Sequence, residues 1–163
     1  MKRVPQLWEL YPGLFIRGHT RHVDHYALLT LLQRQHVVLV LNVALIMDSV
    51  FAKLLDASGI MYRHVPLSDS RKHVPGSFIQ MQAQFVSCAM LRGSVLVHCD
   101  SGWNRSALIA IAALHLHTRL PVVELIAKAR NVRPGVLNNK NFERYLLQLG
   151  ESDAPKLLSN FVL

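Results

Sequence analysis

HVVLVLNVA, residues 36–44, and SVLVHC, residues 94–99, place valine and leucine at consecutive positions with almost no polar break. A strand with one wet face alternates apolar and polar residues. A continuous run belongs to a strand covered on both faces, which is the habit of parallel sheets whose crossover helices lie on either side. Around these two runs the rest of the chain falls into order. LFIRG (14–18) follows the turn signal Pro12-Gly13 and reads as a short strand, and IMYRHVPL (60–67) as another. Helical spacing covers 23–35, 49–58 (closed by Gly59), 77–91, 106–117 and 121–131, where Pro121 opens the helix. A last helix is capped by Asn138 or Asn139 and ends at Gly150. Strands alternating with helices predict an α/β fold: a central, mostly parallel twisted sheet of four to five strands flanked by helices on both faces. We find no repeat, linker or low-complexity tract, so residues 1–163 read as one domain.

Bulk properties narrow the partners. A chain of 163 residues with 51% hydrophobic and 17% charged residues has the composition of a globular domain, not a disordered one. The longest apolar stretch, ALIAIAALHL, is too short to cross a bilayer. The start, MKRVPQLWELYPG, lacks an apolar core of leader length. These features predict a soluble, cytoplasmic protein with no membrane span. Lysine and arginine number 18 against 10 aspartate and glutamate, a net charge of +8. That excess either serves solubility or points to anionic partners: phosphoesters, nucleic acid or acidic surfaces. Cys88 and Cys99 show no metal-ligand spacing, and His115 and His117 fall on different helix faces, so neither metal nor cofactor is expected. Cys88, in the helical stretch FVSCAML, reads as a small core hydrophobe.

The loop joining the second apolar run to the helix behind it carries chemistry. In HCDSGWNRSA (98–107), Gly102 permits tight curvature and a helix begins near Arg105. A short loop wrapped in this way turns several backbone N–H groups inward, those of Asp100, Ser101, Gly102, Trp103, Asn104 and Arg105 being the candidates, and with the helix N-terminus they make a cradle for a tetrahedral oxyanion. The same field favours the thiolate of Cys99 at its base, making that sulfur a nucleophile. Arg105 adds a planar fork able to grip two phosphoryl oxygens, which lysine would not replace. Ser106 either donates its hydroxyl to the departing thiolate or caps the helix.

The sequence His98-Cys99-x5-Arg105-Ser106 on a strand-loop-helix resembles the signature of the cysteine-dependent protein tyrosine phosphatase superfamily, and the small size is similar to its atypical dual-specificity branch. The resemblance extends to PGLFIRG as the opening strand, to VVLVLNVA, and to RPGVLNNKNF, where Asn141 stands in place of the usual glycine. It implies a metal-independent phosphomonoesterase acting on phosphotyrosine, with phosphoserine and phosphothreonine also open, on phosphorylated proteins, through a cysteinyl-phosphate intermediate. It also implies a general acid on a loop upstream of the nucleophile. Asp69, in VPLSDSRKH, occupies that place, with a turn-forming role as its alternative and Asp100 as its competitor. His98 is implied to shape the loop and to depress the thiol's proton affinity, and Cys88 to be a conceivable redox partner of Cys99. Arg71 and Lys72 either meet a second phosphate at the rim or belong to a solvated loop. GWNRS is also similar to the loops of myotubularin-like lipid phosphatases and RNA 5'-triphosphatases, so RNA and polyphosphorylated small molecules, inositol phosphates among them, stand as alternative substrates. A phosphate-binding pseudophosphatase is the non-enzymatic alternative.

Overall fold

The computed structural model describes residues 5–70 and 74–158, with side chains described through residue 152. Its sheet has five strands: β1 Trp8–Tyr11, β2 Leu14–Arg17, β3 Val37–Asn42, β4 Met61–His64 and β5 Ser94–His98, in the spatial order β1-β2-β5-β3-β4. β2, β5, β3 and β4 run parallel, and β1 alone pairs antiparallel with its neighbour β2. β5 therefore lies at the centre of the sheet, hydrogen-bonded on both sides, as its unbroken apolar sequence requires.

Six helices cover this sheet: α1 His25–Arg34, α2 Ser49–Ala57, α3 Gly76–Met90, α4 Arg105–Thr118, α5 Val122–Val132 and α6 Lys140–Leu158. Two cores divide the residues of β5 by the period of two that any strand obeys. Leu96 faces the core built with Leu28, Leu32, Phe51 and Leu55 of α1 and α2. Val95, Val97 and Cys99 face the larger core with α3, α4, α5 and α6. α4 is buried on every side from Arg105 to His115, which explains a run (LIAIAALHL) too apolar to be amphipathic. The helices change face after β4, and loops at the carboxyl ends of the strands open into the resulting crevice, where α/β sheets hold their ligands.

Three elements depart from the sequence reading. The strand at 14–17 is the second, not the first: WELY forms β1 and turns back through Pro12 and Gly13, the latter at φ +81° with its N–H donating to Glu9 Oε1 at 3.1 Å. Four residues, three of them charged or aromatic, give too little periodicity to be read as a strand. The strand expected over 60–67 ends at His64; past it, Val65 and Leu67 donate their N–H groups to the carbonyls of Asn42, at the end of β3, and of Val43. The last helix passes through Gly150 instead of ending there. A Cβ at Gly150 would sit 3.0 Å from Val122 Cγ2, so this glycine lets α6 approach the start of α5 and is not a stop. Asn139 is the cap expected of it: its Oδ1 accepts the N–H of Asn141 at 3.1 Å and of Phe142 at 3.4 Å. Asn141 is helical with φ below zero, so glycine is not required there.

Candidate active site

The loop 99–105 leaves the carboxyl end of β5 and is clamped by the strands beside it. Val43 N–H donates to His98 O at 2.8 Å, Cys99 N–H to Arg17 O at 3.3 Å, and His19 N–H to Asp100 O at 2.9 Å. Gly102 takes φ +68°, and a Cβ there would lie 2.4 Å from the carbonyl carbon of Arg17 and 2.5 Å from the amide of Gly18. Only glycine fits this approach.

Cys99 is fully buried beneath the loop and is a free thiol. Gly102 N–H points at its sulfur from 3.1 Å, and Ser106 Oγ lies 3.4 Å away, also fully buried. Ser106 sits within the first turn of α4, whose N-cap is Asn104, and its hydroxyl pairs with the sulfur. Arg105 is buried and its guanidinium is fixed from two sides. Nη2 donates to Asp100 Oδ2 at 2.7 Å, and Nη1 to Leu67 O at 3.3 Å. Its Nε is buried with no partner among the described residues. An unpaired buried donor costs on the order of 1–3 kcal/mol, and an oxyanion beside the loop would satisfy it.

The two candidate acids stand in different company. Asp100 is held as a counter-ion, 2.7 Å from Arg105 and 3.8 Å from Arg21. Its Oδ2 is thus engaged with the arginine of the cradle. Asp69 lies exposed on the loop after β4, and both its oxygens accept side-chain amides: Oδ2 from Asn104 at 3.0 Å and Oδ1 from Asn139 at 2.7 Å. Asn104 belongs to the cradle loop itself, so a residue thirty positions from the cysteine is tied directly to the cradle. The amide partners Asn104 and Asn139 escape a reading of spacing, since nothing local in the sequence announces a contact across 35 or 70 residues.

Other expectations meet a correction or a limit. His98 is fully buried on the α1/α2 side of the sheet, beside Arg17, its register partner on β2. Burial, reinforced by the Arg17 charge, pushes its pKa down to about 3. It is neutral at physiological pH. Cys88 is exposed, not in the core, because Ile79, Ala83 and Val86 take the inward face of α3 and Cys88 lies about 200° around the helix from Val86. Trp103 is 40% exposed at the rim. Arg71 and Lys72 lie outside the described residues. Beside the loop, Arg17, His19, Arg21, His22 and Arg133 line a cleft of about 610 Å³ together with Asp100 and Ser101, which places part of the chain's basic excess against the site.

Comparison with known proteins follows the same lines. The profile of the dual specificity phosphatase catalytic domain matches residues 22–152. The chain is 32% identical over 143 residues to dual specificity protein phosphatase 26 of Bos taurus, and 31% to that of Homo sapiens, covering 86% of this chain and 65% of each relative. It thus spans just under two thirds of the length of these curated relatives. Among solved structures, human DUSP28 superposes with a TM-score of 0.75 at 25% identity, covering 91% of this chain and 95% of that one. The human tyrosine phosphatase-like serine/threonine/tyrosine-interacting protein gives 0.67 at 22%, covering 93% and 97%, a likeness of fold alone. No helix among the described residues is long and apolar enough to cross a membrane.

Proposed function

Because the chain belongs to the dual specificity phosphatase catalytic-domain family of the cysteine-dependent tyrosine phosphatase superfamily, we propose that residues 1–163 act as a single catalytic domain hydrolysing phosphomonoesters on proteins. Phosphotyrosine is the principal substrate, with phosphoserine and phosphothreonine admitted. The observation that carries this reading is the convergence on one buried sulfur of a backbone N–H and a serine hydroxyl, beside an arginine whose Nε has no partner among the described residues.

In the first step the Cys99 thiolate attacks phosphorus and the bond to the leaving oxygen breaks. The N–H groups of 100 to 104 and the Arg105 fork hold the equatorial oxygens, where charge is greatest. Asp69 gives its proton to the leaving oxygen. In the second step water attacks the cysteinyl phosphate, Asp69 takes a proton from that water, and the S–P bond breaks. Ser106 Oγ–H then stabilises the returning thiolate. Asp100 serves Arg105 as counter-ion and orienter, which leaves the acid's part to Asp69.

A cytoplasmic setting suits this chemistry, since a reducing compartment keeps Cys99 a thiol. Cys99→Ser tests the proposal: phosphotyrosine-peptide hydrolysis falls to background, measured with a chelator present, whereas retained turnover refutes the covalent route. RNA 5'-triphosphate and inositol phosphates belong in the same panel, and a preference for either overturns the assignment of substrate class.

A further inference from the structure

We infer that Arg133, which immediately follows α5, is a positioning residue for this reaction: it turns the cradle's amides toward the sulfur by gripping the opposite ends of the same peptide units. The inference rests on the cradle reading above and goes beyond it, since it concerns a residue outside the cradle loop.

Three successive carbonyls of the cradle loop point away from the sulfur, and all three are held by one short segment. Arg133 Nη2 donates to Ser101 O at 2.9 Å and Arg133 Nη1 to Gly102 O. Leu137 N–H donates to Trp103 O at 2.8 Å. In a planar trans peptide the C=O of one residue and the N–H of the next point in opposite directions. Anchoring the carbonyls of 101, 102 and 103 outward therefore sends the N–H groups of 102, 103 and 104 inward. The first of these is seen arriving: Gly102 N–H lies 3.1 Å from Cys99 Sγ.

Arg133 is itself held rigidly. Its guanidinium lies 3.7 Å from the centre of the Trp8 ring and 5.6 Å from that of Trp103. Trp8 thereby gives the edge strand β1 a task at the site. The planar fork is what the geometry uses, since two carbonyls of adjacent residues are gripped by two nitrogens fixed in one plane. A lysine would keep the charge and lose the fork. Asn139, six residues on, donates from its backbone to Asn104 Oδ1 at 3.0 Å and from its side chain to Asp69. The segment 133–139 thus aligns cradle and acid together.

The test separates orientation from charge. In the Cys99→Ser background, where no chemistry occurs, tungstate binding is measured by calorimetry for the parent, Arg133→Lys and Arg133→Ala, each with a thermal melt. The expected result is a loss of at least tenfold in tungstate affinity for Arg133→Lys, measured well below its melting temperature. With Cys99 restored, kcat on a phosphotyrosine peptide falls roughly 10- to 100-fold, less than the 10² to 10³ of losing an oxyanion donor outright. Should Arg133→Lys fold poorly, Arg133→Ala is titrated with methylguanidinium and methylammonium: recovery of kcat by the first and not the second supports the fork. Parental tungstate affinity in Arg133→Lys, or equal recovery by both cations, overturns the inference. A parent that binds no tungstate overturns the cradle reading on which it stands.

Discussion

Replacing Gly102 with alanine adds one carbon at the point where the cradle loop passes closest to its neighbour. That carbon would stand 2.4 Å from the carbonyl carbon of Arg17 and 2.5 Å from the amide nitrogen of Gly18. Ordinary contact between such atoms is about 3.5–4.0 Å, so one backbone must move by roughly 1 Å. Neither is a flexible side-chain end. The left-handed backbone at φ +68° adds about 1–2 kcal/mol for a residue bearing Cβ. Overpacking adds about 1–3 kcal/mol, so the sum is roughly 2–5 kcal/mol of lost stability. For a chain of this size the Tm falls by roughly 5–15 °C. The effect on rate is larger in proportion, because a displacement of about 1 Å at reacting groups costs on the order of 10² in turnover. Steady-state kinetics on a phosphotyrosine peptide, run well below the new Tm, and a thermal melt measure the two separately. A Gly102→Ala protein with kcat within twofold of the parent refutes the claim that these amides stabilise the transition state. An unchanged Tm refutes the close approach itself.

Further outcomes follow from the same geometry. Asp69→Ala lowers kcat about 10² to 10⁴-fold on alkyl phosphates and markedly less on a nitrophenyl ester, whose leaving group needs no proton; equal losses on both would deny it the acid's role. Asp100→Ala releases Arg105 from its 2.7 Å partner and lowers kcat/KM by roughly tenfold with no dependence on the leaving group. Asn104→Ala leaves the helix start intact, since that side chain makes no capping bond, yet lowers turnover by loosening Asp69; an unaltered kcat would dismiss the amide tether. His98 titrates near 3 when folded and near 6.5 when unfolded, so the unfolded chain binds the extra proton between these values. Its contribution is complete above pH 6.5 and is lost as pH falls toward 3, at up to about 1.4 kcal/mol per unit. Urea midpoints at pH 7.5, 6 and 5 for the parent and His98→Gln isolate that slope, and identical slopes contradict it.

What the sequence announces are features whose cause is local. The run SVLVHC declares a strand covered on both faces because burial on both faces removes polar alternation. Cys99, Gly102, Arg105 and Ser106 are legible together because they fall within eight consecutive residues and each stands where the wrapping needs it. β1 is illegible for the opposite reason: WELY becomes a strand by pairing with β2, and no local period declares it. Gly150 misleads because one residue type serves both helix termination and close helix packing, and only Val122 at 3.0 Å tells them apart. Cys88 misleads because its own type favours the core while the phase of α3 is set by Ile79, Ala83 and Val86.

The same distinction explains why the nucleophile and the phosphate arginine stand out in the sequence while their supports do not. The nucleophile and the phosphate arginine share one ring of backbone, and a ring of that size closes only through residues adjacent in the chain. Supports carry no such restriction. Arg17 reaches the floor of the site from β2, Leu67 from the loop after β4, and Arg133, Leu137 and Asn139 from the segment between α5 and α6. Each arrives by topology, because β5 stands between β2 and β3 and its carboxyl end is ringed by every loop that leaves the sheet on that side. A ring of inward amides cannot hold itself in shape, since each N–H it turns in forces a carbonyl out, and every outward carbonyl needs a donor from elsewhere. Those donors come from distant positions, so spacing alone cannot predict them, and substitutions at Arg133 or Asn139 should disturb the chemistry while leaving His98-Cys99-x5-Arg105-Ser106 intact.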